Sequence, residues 1–174
     1  MNLYLIGYRA SGKTTVGQQV AQRLACNWKD SDDRIESLAG MTIAKIFDQH
    51  GESEFRKLES QVIQEMARLQ GWVISLGGGA PIQVANRKPI RESGKVVYLS
   101  APADVLWQRM QTDPATGDRR PDLTDVGGIE EVQQILARRA PIYEACADYT
   151  IDVARMTPEQ CGEAIVQWWQ SVDR

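Results

Sequence analysis

Short apolar runs alternate along this chain with longer stretches in which apolar residues recur every three or four positions. The runs fall at residues 3–6, 72–76, 96–99 and 149–152, with a shorter one at 28–30. Each has the length of a buried strand. The stretches between them carry helix punctuation. Residues 15–24 read as a helix after the first run. Thr42 caps a pattern over 43–50 that Gly51 stops, and residues 52–69 continue amphipathically to Gly71. Pro102 opens a helix reaching to about residue 111. Thr157-Pro158-Glu159-Gln160 supplies a cap, a first-turn proline and a capping-box glutamine for a last helix. Strands alternating with helices predict an α/β fold, a three-layer sandwich with a parallel sheet covered on both faces.

The pattern breaks at residues 112–128, TDPATGDRRPDLTDVGG, which hold charges, prolines and glycines but almost nothing apolar. A loop this long inside one domain is usually functional or disordered. A mobile lid over a bound nucleotide is the expectation once the next motif is read.

That motif is GYRASGKT at residues 7–14, the P-loop pattern, lying between the first strand and the first helix as it must. Gly7 and Gly12 let the backbone curl, so that N–H groups along Arg9, Ala10, Ser11, Thr14 and Thr15 can face one anion. Lys13 is expected at the β- and γ-phosphates of ATP, and the Thr14 hydroxyl at Mg²⁺. The plain alternative is a glycine-rich turn before an ordinary helix.

Composition narrows the remaining classes. The 174 residues are 43% hydrophobic and 25% charged, with a net charge of −3, which suits one globular domain. That charge gives no footprint for nucleic acid. Three cysteines, at 26, 146 and 161, form no CxxC pair, and no apolar run approaches membrane-spanning length. A cytoplasmic protein acting on small molecules, without nucleic-acid or membrane partners, is expected, and a monomer. His50, the one histidine, precedes Gly51 at a helix end. There it reads as a dipole partner rather than a catalyst.

Ligands of such sheets bind beyond the carboxyl ends of the strands. The segments at those ends are the P-loop, Asp30-Ser31-Asp32-Asp33 and Gly77-Gly78-Gly79. Asp30 and Asp32 share one face of an extended segment. One can serve the metal shell and the other the acceptor, or Ser31 or Asp32 can simply cap a helix starting near Asp33. Three glycines allow a backbone to approach a ligand, or make a flexible turn. Arg56 can be an exposed partner of Glu52 or Glu59, and Arg138 and Arg139 a solvated helix face.

Taken together, GYRASGKTTVG, DSD, GESEFR, GGG, the Arg-Pro of residues 120–121 and RRAPIY resemble the shikimate kinase family, within the nucleoside-monophosphate-kinase-like P-loop group. The resemblance covers residues 1–152. It implies a five-stranded sheet of order 2-3-1-4-5, with an acceptor region at about residues 32–60 and the lid at 112–128. It also implies Mg²⁺-dependent transfer of the γ-phosphoryl of ATP to shikimate. By the same resemblance, Asp30 lies near Mg²⁺ and Asp32 at the acceptor hydroxyls as catalytic carboxylate. Arg56 and Arg139 hold the acceptor carboxylate, and Gly77, Gly78 and Gly79 form the backbone wall of that site. Arg120 closes on the phosphates as a catalytic residue beside Lys13, and Arg109 packs at the adenine. Two positions depart from the family's usual pattern: Leu76, where threonine is common, and Asp122 in the lid. A gluconate kinase of the same fold, or a regulator that binds ATP without turnover, are the rival readings.

Overall fold

The computed structural model of the chain describes residues 1–112 and 127–172. Arg120, Asp122 and the interior of the expected lid lie outside the described residues. The order is β1 (Asn2–Ile6), α1 (Lys13–Arg23), β2 (Asn27–Asp30), α2 (Ser31–Ala39), α3 (Ile43–Met66) and β3 (Trp72–Ser75). A 3₁₀ turn (Ala80–Ile82) and α4 (Val84–Ser93) lead to β4 (Gly94–Ser100) and α5 (Ala103–Thr112). Then come α6 (Gly128–Cys146), β5 (Tyr149–Asp152) and α7 (Pro158–Val172).

The strands pair in parallel as β2-β3-β1-β4-β5. All five are near the expected positions; β1, β3 and β4 are short, largely apolar runs, whereas the edge strand β2 is Asn-Trp-Lys-Asp and only partly buried. Register fixes what leaves the sheet together. Leu5 pairs with Ser75, and Ser75 with Asp30. The P-loop, the triple glycine and the aspartates thus emerge at one level of the carboxyl edge.

The sheet separates two apolar layers. Leu3, Leu5, Val97 and Leu99 face Val16 and Val20 of α1, Leu106 of α5 and Ile165 of α7. Tyr4, Ile6, Ile74 and Tyr98 face Ile35 of α2, Phe55 and Ile63 of α3, and Ile90 of α4. Helix α6 belongs to both: Val132 and Ile135 lie in the first layer, and Tyr143 in the second.

Gly51 divides α3 where the pattern placed a stop, with φ 78° and ψ 173°, so the two expected helical pieces meet there at a kink. Two details differ from expectation. Helix α2 begins at Ser31 rather than near Asp33, and its cap is Asp30, whose carboxylate accepts from the Asp32 N–H at 2.9 Å. Helix α4 has no counterpart in the sequence pattern, because Pro89 lies inside it and only Asn86 and Ile90 are buried. The last helix starts as expected: Gln160 N–H donates to Thr157 Oγ1, and Thr157 N–H to Gln160 Oε1.

Candidate active site

A cleft of about 660 Å³ opens at the carboxyl edge of the sheet. Residues 9–16 line its floor, and Asp30, Asp32, Leu76 and Gly78 one side. Arg109, Thr112, Val153, Met156, Pro158 and Cys161 line the other. Its size suits small-molecule ligands.

The loop owes its curl to Gly12, which caps α1 at φ 90°, a left-handed conformation that costs glycine nothing. Ala10 is held at φ 60°, rare for a residue with a Cβ. Lys13 folds back over the loop: its Nζ donates to the carbonyls of Gly7 at 3.0 Å and Tyr8 at 2.9 Å. Beneath it, Ser75 Oγ donates to the Lys13 carbonyl at 2.9 Å and accepts from Trp28 Nε1 at 3.0 Å. Arg9 is steered by an ion pair with the buried Glu131 of α6, at 3.4 Å.

Thr14 and Asp30 meet directly, Thr14 Oγ1 donating to Asp30 Oδ2 at 3.2 Å. Burial raises the Asp30 pKa to about 6, aided by the charges of Asp32 and Asp33 and opposed by the Asp32 N–H and Lys13. A hydroxyl beside a half-buried carboxylate fits Mg²⁺, which takes oxygen ligands and usually keeps waters and phosphate oxygens in its shell. Raised above its unfolded value of 3.8, this group costs stability when it ionises. Asp30's own contribution to stability should therefore fall as pH rises from about 4 through about 6, so relative to the wild type Asp30→Asn should gain stability across that range. Thermal melts of both proteins across this range check it. An unchanged slope in the variant would assign the titration elsewhere.

At the triple glycine, the Gly77 N–H donates to Ser31 Oγ at 2.8 Å and the Gly78 carbonyl accepts from Tyr143 Oη at 2.6 Å. At Gly79 the Arg56 guanidinium lies against the backbone, so a Cβ there would push that guanidinium aside. Arg56 is only 18% exposed and forms both of the ion pairs expected from helical spacing, with Glu59 at 2.9 Å and Glu52 at 3.1 Å. Burial works against its charge, but these carboxylates outweigh it and its pKa lies above the ordinary value. Arg139 is half-buried, its guanidinium 5.9 Å from the Tyr8 ring centre, whereas Arg138 is exposed. Arg56 thus abuts the glycine segment from α3, while Arg139 on α6 reaches the Tyr8 ring. Neither lines the cleft, nor do Gly7, Gly77 and Gly79.

Arg109 donates to the Val153 carbonyl at 2.7 Å across the cleft from the aspartates. Sequence reasoning missed its neighbours Val153, Met156 and Pro158; the strand end followed by Thr-Pro was the available signal. It also gave no role to Ser75, Glu131 or Tyr143, and none beyond capping to Ser31. Leu76, in place of a family threonine, is buried and brings no hydroxyl to the cleft. His50 sits in a separate hollow with Met41, Ile46 and Leu58.

A loop for phosphates and a carboxylate pair on one cleft, carried by this strand order, put the molecule among the P-loop kinases. The sequence matches the family described as Shikimate kinase over residues 9–170. It is 43% identical over 159 residues to a shikimate kinase of Rhodopirellula baltica, covering 91% of this chain and 85% of that one. Its fold superposes on the Acinetobacter baumannii shikimate kinase, solved in complex with shikimate, with a TM-score of 0.90 and 35% identity over 98% of this chain and 93% of that one. The shikimate kinase of Bacteroides thetaiotaomicron gives 0.83 and 32%, over 99% and 97%. The chain belongs to the shikimate kinase family.

Proposed function

We propose that this enzyme transfers the γ-phosphoryl group of ATP to the 3-hydroxyl of shikimate, giving shikimate 3-phosphate and ADP on the route to chorismate and the aromatic amino acids. One observation carries the assignment of roles: the phosphate loop, Thr14–Asp30 and Asp32 share a single cleft whose acceptor end adjoins the Gly77–Gly79 segment. Loop N–H groups and Lys13 hold the phosphates, Lys13 exchanging its two carbonyl partners for phosphate oxygens. Asp32 receives the proton of the attacking hydroxyl as its oxygen bonds to phosphorus and the bond to the ADP oxygen breaks. Thr14 and Asp30 would hold Mg²⁺, which when bound neutralises charge on the β- and γ-phosphates. Arg56 and Arg139 hold the acceptor carboxylate, as charge-assisted forks. Arg109 sits on the adenine side, and Arg120 enters on the family resemblance alone. In this reading the enzyme works in the cytoplasm as a monomer. Among the described residues no helix is long and apolar enough to cross a membrane.

The test is the acceptor's charge. Each charge-assisted hydrogen bond is worth about 1.5–3 kcal/mol. Shikimate methyl ester should therefore be at least ~10²-fold worse in kcat/KM than shikimate, in a coupled ADP assay. Arg56→Leu and Arg139→Leu should narrow that gap while ATP binding stays measurable. Efficient phosphorylation of the ester or of a neutral sugar would overturn the acceptor assignment, and gluconate used better than shikimate would favour the rival kinase.

A further inference from the structure

Tyr143 has no exposed surface, although its hydroxyl lies beside the acceptor segment. It stands one helical turn beyond Arg139 on α6. Its ring packs against Tyr98 with centres 5.1 Å apart, and its Oη donates to the Gly78 carbonyl at 2.6 Å. Burial pushes this hydroxyl's pKa up to about 12, against the pull of Arg139, so it keeps its proton and remains a donor at neutral pH. Gly78 is wedged in turn: a Cβ there would lie 3.3 Å from the Gly7 carbonyl and 3.7 Å from Tyr143 Oη. One hydroxyl therefore ties the helix that carries Arg139 to the segment between Gly77 and Gly79. On the other flank, the Arg56 guanidinium abuts Gly79.

We propose that Tyr143 is a positioning residue of the acceptor site, its bond to Gly78 setting the separation between the glycine wall and Arg139. The role rests on the reading that the acceptor binds between them. Without the bond, α6 and the wall can shift independently, and an acceptor that must touch both binds less often in the productive arrangement. The nucleotide side shifts less, because the loop keeps its own Gly12 turn and Lys13 bonds although Gly78 borders the cleft.

Tyr143→Phe keeps the ring and its packing on Tyr98 and removes only the hydroxyl. The KM for shikimate should rise about three- to tenfold, the net worth of one neutral hydrogen bond, with the KM for ATP nearly constant. A purely structural role would lower the melting temperature without separating the two constants. Ile165→Val, in the opposite apolar layer, controls for lost stability and should move neither KM. A rise for shikimate less than about threefold greater than the rise for ATP overturns the proposal. Failure of the wild type to use shikimate would instead overturn the functional reading. If the variant does not fold, hydrogen exchange of the wild type reads the same coupling. Protection at residues 77–80 and 138–146 should rise together as shikimate is added, and protection of one segment alone overturns the link.

Discussion

Lys13→Ala should lower kcat by about 10²–10³-fold or more in a protein that still folds. The lysine opens α1, and its side chain spends its hydrogen bonds on the Gly7 and Tyr8 carbonyls rather than on the apolar layers. In the proposed mechanism, removing it deletes the charge that meets the transferring phosphoryl, and losing one such donor costs on that order. It also releases two loop carbonyls, at about 1–3 kcal/mol of stability. For a chain of this length that is a melting shift of several degrees, far from unfolding. A coupled ADP assay beside a thermal melt separates the two effects. A folded variant with near wild-type kcat would remove Lys13 from the chemistry.

Asp32→Asn should lower kcat by roughly 10²-fold or more with little change in ATP affinity. The side chain is set by the first turn of α2, whose geometry Asp30 fixes by accepting the Asp32 N–H. The amide fills nearly the same volume, so the site stays assembled. What is lost is a group that can only accept, placed to receive or orient the hydroxyl proton. Single-turnover kinetics with saturating ATP would show the loss in the chemical step. If KM for ATP moved and kcat did not, Asp32 would belong to the nucleotide side.

The strands and the phosphate loop were legible because their signals are local. The central strands β1, β3 and β4 are apolar runs, and the loop is eight residues with fixed spacing. Caps were legible too, although the cap of α2 fell on Asp30 instead of Ser31 or Asp32. Helix α4 was not, because Pro89 interrupts its pattern and only Asn86 and Ile90 are buried, Asn86 donating to the Ala80 carbonyl at 3.0 Å rather than packing an apolar stripe. A different limit, distance along the chain, hid the supports of the site. Ser31 reaches Gly77, Tyr143 reaches Gly78 and Arg9 reaches Glu131 across 46, 65 and 122 residues of chain. Arg56 shows the intermediate case. Its partners Glu52 and Glu59 are legible at helical spacing, but the burial that turns an ordinary surface pair into an oriented guanidinium depends on Gly79 packing against it.

Helix α6, which starts in one apolar layer and ends in the other, also bears on how the sequence can change over time. Ile135 and Tyr143 answer to cores on opposite sides of the sheet, and Arg139 lies between them. Each residue added to a helix turns everything beyond it by about 100°. One inserted or deleted position between 135 and 143 would therefore swing either Ile135 or Tyr143 out of its layer and turn Arg139 away with it. Surface connections elsewhere can lengthen at small cost. This stretch of α6 cannot, so drift in chain length should stop at its borders while individual side chains on its exposed face remain free to vary.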